Sequence, residues 1–297
     1  MGRLVAIANQ KGGVGKTTTA INLAVALAGT PYASTNGPVL LVDLDPQGNA
    51  TSGLMPPAQL AGVKASGKTI YDVIVGRIAI GDVLHQVRDT VFLLPSSSDL
   101  VGAEVELANA DGRERRLKGL LAPLRDQYSF ILVDTPPSLG LLTLNAMVAA
   151  DSILVPMQCE YYALEGLSAL LGTIGRVRKV LNPQLQIDGI VLTMFDSRNR
   201  LSHEIARDVS HHFPDQLFQS VIPRNVRLSE SPSHGLSVIE YDNKSAGAEA
   251  YRALGAELVQ RATGSSLPQE PCPEPKRSSW NLRALFSREG DRARRSG

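Results

Sequence analysis

Two kinds of hydrophobic pattern alternate along this chain. Short, almost uninterrupted apolar runs are typical of buried strands, and longer segments with an apolar residue every three or four positions are typical of amphipathic helices. Strands are predicted at 4–8, 39–42, 91–94, 128–134, 152–156, 187–194 and 218–222, and helices near 16–28, 163–181 and 250–258. This alternation predicts a doubly wound α/β fold, in which helices cover both faces of a mainly parallel sheet.

Three segments lack either pattern. Residues 30–38 are rich in Gly, Pro, Ser and Asn, which predicts a loop, and residues 53–68 are predicted to form a surface excursion. Beyond about Ala262 the chain becomes rich in Pro and Ser and carries seven basic residues against four acidic ones, a net charge of +3. We predict one folded domain over residues 1–262 and a disordered basic tail over 263–297.

Composition narrows the class of protein. The 297 residues are 43% hydrophobic, enough for a substantial core, but no run of 18 apolar residues predicts a membrane span. The first apolar run is already a strand, so we expect no targeting leader. Two cysteines exclude a disulfide framework and fit a reducing cytosol, and Cys159 is predicted to be a core residue. With a net charge of +1, any affinity for nucleic acid must come from a local patch.

The turn between the first strand and the first helix carries the most specific motif. Its residues are Lys11, Gly12, Gly13, Val14, Gly15, Lys16, Thr17 and Thr18. Strand, glycine-rich turn and helix are the context of a phosphate-binding loop, in which backbone N–H groups and the helix N-terminus surround phosphate oxygens. Lys16 is expected to reach the β- and γ-phosphates, and the Thr17 hydroxyl to ligate Mg²⁺. The alternative is a solvated turn without a ligand.

The usual motif opens with glycine five residues before Gly15, whereas this loop has Gln10 at that position and Lys11 directly after it. A second lysine in front of paired glycines is hard to explain within one subunit. We therefore expect its side chain to leave its own loop and meet the phosphates of a neighbouring molecule.

Three aspartates follow predicted strands. Asp134 ends the strand at 128–134, at the sheet edge where ligands of open α/β sheets bind, and is expected to hold the Mg²⁺ shell. If the second strand continues far enough, its two-residue period points Asp43 and Asp45 the same way, one to support the loop and magnesium and the other to orient the attacking water. The alternatives are turn-capping aspartates with no chemical role.

Arginines follow the last two predicted strands. Arg198 and Arg200 come after the strand at 187–194, and Arg224 and Arg227 come after the strand at 218–222. Because both segments leave the sheet at strand ends, these residues could converge on one surface. Arginines without interleaved aromatic residues suit phosphate contacts, although scattered surface arginines are also common.

Five separated motifs, taken in order, are similar to one family. They lie at residues 11–18, 41–51, 134–137, 160–166 and 222–230. Together they resemble the ParA (Soj-like) branch of the deviant Walker ATPases, which segregate chromosomes and plasmids, and the resemblance runs from about Leu4 to Gln260. It implies a P-loop NTPase fold of the deviant Walker type.

The resemblance also implies how nucleotide is used. ATP would build a sandwich dimer, and Lys11 would contact the partner's phosphates. Asp45 would support hydrolysis and Asp134 would serve magnesium. Pro223 and Asn225 would lie near the adenine.

The resemblance further implies a DNA-binding cycle. Arg198 and Arg227, with Arg224 beside them, would let the ATP dimer bind double-stranded DNA without sequence preference. A ParB-type centromere-binding partner would stimulate weak hydrolysis and release monomers. The protein would then be cytoplasmic and associated with the nucleoid. With no helix-turn-helix ahead of the core, we expect the short chromosomal type.

Two alternatives stay open at this point. A MinD-like membrane-cycling ATPase shares the loop, but the segment at 280–288 makes a poor amphipathic helix because Trp280 lies opposite the other apolar residues. A scaffold that binds ATP without turnover is the other alternative, and Asp45 and Thr17 argue against it.

Overall fold

The computed structural model describes residues 1–264; the tail beyond them, with its predicted disorder and the segment at 280–288, lies outside the described residues. The strands are β1 (Arg3–Ile7), β2 (Val39–Asp43), β3 (His85–Arg88), β4 (Val91–Leu94), β5 (Phe130–Asp134), β6 (Ser152–Gln158), β7 (Gln186–Phe195) and β8 (Leu217–Pro223). The α-helices are α1 (Lys16–Ala28), α2 (Pro31–Asn36), α3 (Asn49–Leu54), α4 (Pro57–Ser66), α5 (Ile70–Ile74), α6 (Leu100–Glu106), α7 (Arg116–Leu121), α8 (Leu141–Ala149), α9 (Ala163–Val180), α10 (Arg200–His212), α11 (Val226–Glu230), α12 (Val238–Tyr241) and α13 (Ala246–Thr263).

The strands of residues 1–264 form one eight-stranded sheet in the order β3-β4-β2-β5-β1-β6-β7-β8. Every neighbouring pair is parallel except β3 with β4. The predicted doubly wound α/β class is confirmed. Because β1 is central, the loop that follows it lies in the middle of the carboxyl edge.

The sheet is buried on both faces, which is why its strands are continuous apolar runs. Leu4 and Ala6 of β1 belong to one core cluster, while Val5 and Ile7 belong to the other. Helices α1 and α13 pack together on the second face, and α7, α8 and α9 contribute to the first.

One prediction about an irregular segment was wrong, and a second segment lies at the surface as predicted but contains a helix. Residues 30–38 contain α2, because Thr30 caps the helix by accepting a hydrogen bond from the Ala33 N–H and Pro31 occupies the first helical turn. Residues 53–68 contain α4, which also starts at a proline and is mostly exposed. At the end of the domain, α13 runs to Thr263 and stops at Gly264, whose φ of 66° is left-handed.

Within residues 1–264, every helix is too short or too polar to span a lipid bilayer.

Candidate functional site

The loop after β1 is held by backbone geometry and by one remote hydroxyl. Gly13 and Gly15 have φ values of 73° and 84°, a region that residues with a Cβ rarely adopt, and Gly15 is the N-cap of α1. The Thr193 hydroxyl, at the end of β7, donates a hydrogen bond to the Val14 carbonyl over 2.8 Å. This contact fixes the loop against the sheet and leaves the N-terminus of α1 facing a cavity, which is an arrangement that favours anions.

Lys16 lies inside this cavity and is buried, with 6% of its surface exposed. Burial lowers the pKa of its ammonium, while the nearby carboxylates of Asp134 and Asp45 oppose that shift. Its Nζ donates to the Lys11 carbonyl over 3.2 Å. A desolvated ammonium with one protein acceptor keeps two further N–H donors for a ligand.

Asp134 ends β5 beside the loop and is fully buried. Neither carboxylate oxygen accepts a hydrogen bond of good geometry, although the Thr17 hydroxyl is close enough to lower the pKa slightly. Burial, reinforced by the neighbouring carboxylate of Asp43, raises the pKa of Asp134 well above its usual range. Two unsatisfied buried oxygens beside a threonine hydroxyl and a lysine suit a divalent cation that takes its remaining ligands from phosphate and water.

Asp43 and Asp45 do not share a direction. Strand β2 ends at Asp43, and the Asp43 carboxylate accepts hydrogen bonds from the Thr51 N–H (2.7 Å) and hydroxyl (2.6 Å). It is fully buried, and burial raises its pKa to about 6. The Asp45 carboxylate accepts from the Gln47 N–H over 3.0 Å and lines the cavity. Of this pair, Asp45 is therefore the one placed to meet a ligand, and Asp43 fixes the turn.

The cavity has a volume of about 680 Å³ and runs from the loop to the ends of β7 and β8. Its lining includes Gly12, Gly13, Gly15, Lys16, Thr17, Thr18, Asp45, Met194, Ile222, Arg224, Asn225, Val226 and Leu228. Asn225 also caps α11, where its side chain accepts from the Arg227 N–H. Pro223 is buried at the end of β8, directly before this lining segment.

Lys11 lies away from the cavity in the single chain. Its ammonium pairs with the Glu160 carboxylate, in the segment that joins β6 to α9, and both side chains are about 40% exposed. The side chain of Asn9 supports this arrangement. Its Oδ1 accepts a hydrogen bond from the Lys11 backbone N–H, and its Nδ2 donates one to the Pro156 backbone carbonyl. The predicted contact with a second molecule stays a prediction, and it requires the Glu160 pair to open.

Comparison with known proteins identifies the family. A family profile described as an AAA domain matches residues 2–187. The chain is 52% identical to the chromosome partitioning protein ParA of Myxococcus xanthus over 269 residues, covering 90% of this chain and 91% of that protein. It is 49% identical to the chromosome-partitioning ATPase Soj of Treponema pallidum, covering 88% of this chain and 98% of that protein. The chain belongs to the ParA/Soj family of chromosome-partitioning ATPases.

A solved structure with the same architecture extends the likeness of this ParA/Soj-family chain. It is a cobyrinic acid a,c-diamide synthase from Mycobacterium smegmatis, crystallised with an ATP analogue and magnesium. The two chains share 36% identity and superpose with a TM-score of 0.73 over 90% of this chain and 99% of the other. The fold and the presence of an ATPase site in this protein agree with the prediction.

In this ParA/Soj-family chain the segments that follow β7 and β8 begin side by side, because the two strands are neighbours. Phe195 and Pro223 are register partners, and the Arg224 N–H donates to the Phe195 carbonyl over 3.1 Å. Arg224 lines the cavity. Arg198 and Arg227 lie on the exposed surface beyond it.

Each of the two outer arginines has an acidic partner in its own chain. Arg198 makes a two-pronged pair with Asp196, with nitrogen–oxygen distances of 3.0 and 2.9 Å. Arg227 binds Glu230 at 2.8 Å and Asp242 at 3.3 Å. The sequence analysis missed these acids, although Asp196 and Glu230 are only two and three residues away.

The sequence analysis also assigned no role to Thr51, Glu160, Thr193 or Met194. Thr193 is a polar residue at the end of a predicted strand, which is a usable signal of position at the carboxyl edge, whereas Thr51 lies within α3 and carries no such signal. The partner of Thr193 is Val14, in a distant motif, so no local pattern could supply that pairing, whereas Thr51 and its partner Asp43 lie in the same motif.

Proposed function

We propose that this ParA/Soj-family ATPase binds ATP with magnesium in the cavity after β1 and partitions DNA by an ATP-timed cycle. The observation that carries the nucleotide part is Asp134, a buried carboxylate without a hydrogen-bond partner beside Thr17 and Lys16. Such a group is expensive to bury unless a cation completes it. Magnesium, when bound, neutralises charge on the phosphate oxygens.

Each loop residue takes a distinct part in this proposal. The N–H groups of 12–18 surround the phosphates, Lys16 binds the β- and γ-phosphates, and Thr17 joins Asp134 in holding the metal. Asp45, on the cavity wall, orients the attacking water, because phosphoryl transfer depends mainly on positioning and charge neutralisation. Asn225 and Pro223 stand at the far end, where the adenine would lie.

A homodimer is the second part of the proposal. Lys11 exchanges Glu160 for the phosphates of a second copy, and this exchange makes dimerisation depend on ATP. The half-exposed position of both side chains supports the exchange, because a surface ion pair contributes at most about 1 kcal/mol and is easily replaced.

DNA binding and release complete the cycle. Arg198, Arg224 and Arg227 on adjacent strand ends supply phosphate contacts without base reading, so the dimer binds double-stranded DNA non-specifically. A ParB-type centromere-binding partner stimulates hydrolysis and returns monomers. The protein acts on the nucleoid in the cytoplasm.

The test combines three measurements on the full chain. Light scattering with a non-hydrolysable ATP analogue and magnesium is expected to give a dimer, DNA retardation is expected to require that dimer, and phosphate release is expected to rise when DNA and the partner are both present. Lys11→Ala is expected to bind nucleotide but stay monomeric. Monomers of the wild type with the analogue, and DNA retardation without nucleotide, would each contradict the cycle.

A further inference from the structure

Met194 has the most unusual backbone among the described residues. Its φ is 48°, and it is the one non-glycine residue within 1–264 with a positive φ. The left-handed region places the Cβ close to the following carbonyl, so most residues avoid it. Methionine has no polar side-chain group with which to offset this strain locally. Strained residues persist where the surrounding structure holds them, and they cluster at functional sites.

The strained backbone changes the face on which the following residue lies. Leu192 and Phe195 are three positions apart, yet both pack in the same core cluster. Strict alternation would put them on opposite faces. The pairing of β7 with β8 shifts register between these same two residues. The irregularity therefore inserts one extra residue at Thr193–Met194, as a β-bulge does, and bulges beside active sites re-aim side chains.

Both residues of the irregularity face the cavity. Thr193 holds the phosphate loop through its bond to the Val14 carbonyl, and Met194 is half-buried on the cavity wall. Without the left-handed turn, alternation would place Met194 on the opposite face of the sheet from Thr193. The strain thus serves to put a thioether side chain into the cavity.

The position of Met194 along the cavity indicates which part of a ligand it meets. The phosphate loop follows β1, whereas Met194, Ile222 and Leu228 line the end at β7 and β8. Strands β1 and β8 are three spacings apart, about 14 Å, so a nucleotide with its phosphates in the loop places its base among these apolar side chains. Thioethers pack well against flat aromatic rings.

We propose that Met194 binds the base of the nucleotide, and that its left-handed backbone is retained for this contact at the expense of the stability of the free chain. The inference rests on the proposed ATP binding. It assigns base recognition to a residue at the end of β7, separate from Pro223 at the end of β8 and from Asn225 after it.

The experiment compares two ligands, ATP and inorganic tripolyphosphate, each with magnesium, by titration calorimetry. Tripolyphosphate fills only the loop end of the cavity. Met194→Asn keeps a residue that tolerates positive φ but removes the apolar surface, so ATP affinity is expected to fall roughly five- to tenfold. Tripolyphosphate affinity is expected to stay within about twofold, because the loop is untouched.

A matched control and a stability measurement separate base contact from folding. Met194→Leu keeps the apolar bulk and the strain, and is expected to keep ATP affinity within about threefold. Met194→Gly removes both the apolar bulk and the backbone strain. We expect it to lose ATP affinity, while its melting temperature without nucleotide stays equal to that of the wild type or rises.

Equal losses for both ligands in Met194→Asn would mean that the residue acts through the loop, and unchanged ATP affinity would mean that it does not meet the base; either result overturns the inference. The inference is also overturned if the wild type binds ATP no more tightly than tripolyphosphate, because the base then adds no affinity. A wild type that binds neither ligand overturns the proposed function itself.

Discussion

Asp43 gives a prediction whose size follows from the structure. Its carboxyl is fully buried, and burial raises its pKa to about 6, whereas the unfolded chain has an ordinary value near 3.8. Between these values the native state binds more protons than the unfolded state, so the free energy of unfolding falls as pH rises. The stability is fully present below about pH 4 and is lost as pH rises through about 6. About two pKa units correspond to roughly 3 kcal/mol, of which about half is lost between about pH 5 and pH 7.5.

Asp43→Asn removes this dependence. The amide oxygen can keep both hydrogen bonds from Thr51, because they reach the same oxygen of Asp43, but the amide NH₂ cannot accept from the Asp45 N–H, and this loss costs about 1 kcal/mol. We therefore expect the metal-free, nucleotide-free variant to be about 2 kcal/mol more stable than the wild type at about pH 7.5, with a flatter pH profile.

Urea denaturation in a chelating buffer at about pH 5 and pH 7.5 measures the stability of the variant relative to the wild type and the change of stability with pH. Asp82→Asn, at an exposed position of a 3₁₀ turn, is the matched control and is expected to keep the wild-type profile. A variant of Asp43 that is less stable at neutral pH, with an unchanged slope, would refute the reasoning that this carboxylate is costly when charged.

Three further predictions concern the cycle. Lys16→Ala is expected to weaken ATP binding at least roughly a hundredfold, measured with a fluorescent analogue, because charge-assisted contacts to phosphate are lost; near-normal affinity would contradict its role. Asp45→Ala is expected to form the ATP dimer, as measured by light scattering, but to release no phosphate. A monomeric variant would count against the assigned role of Asp45 in hydrolysis. Arg227→Glu should lose DNA retardation yet still dimerise, whereas Glu230→Gln combined with Asp242→Asn should tighten DNA binding severalfold by removing both acids that pair with Arg227. Unchanged retardation in both would remove Arg227 from the DNA surface.

The sequence predicts the parts of this structure that depend on local pattern. Strands β1, β2 and β5 are continuous apolar runs because both sheet faces are covered, and the runs were recognised as such. The turn after β1 follows from its glycines, two of which have positive φ. Composition alone predicts a loop at residues 30–38, whereas the order of Thr30 and Pro31 is a helix-start signal, and the structure follows the order.

Contacts between distant segments explain what the sequence could not predict. The partner of Lys11 lies 149 positions away at Glu160, and the residue that holds Val14 lies 179 positions away at Thr193. Asp43 turned from the expected direction because β2 ends there and Thr51, eight residues later, offers two donors. A two-residue period can be applied only where the strand continues, and β2 ends at Asp43, just before the turn signal of Asp45 and Pro46.

Three features of the site share one physical property: they destabilise the free chain. Asp134 is buried without a partner, Lys16 is buried as a cation, and Met194 has a left-handed backbone. Each cost falls when phosphate, metal and base are bound, since the ligand then supplies the missing contacts. A ligand that binds only the native state stabilises it by mass action. These local penalties therefore increase the difference in stability between the free and the bound chain. A cycle timed by nucleotide needs that difference in stability. If the polar groups of the site already had partners in the free chain, nucleotide binding would not separate the free state from the bound state.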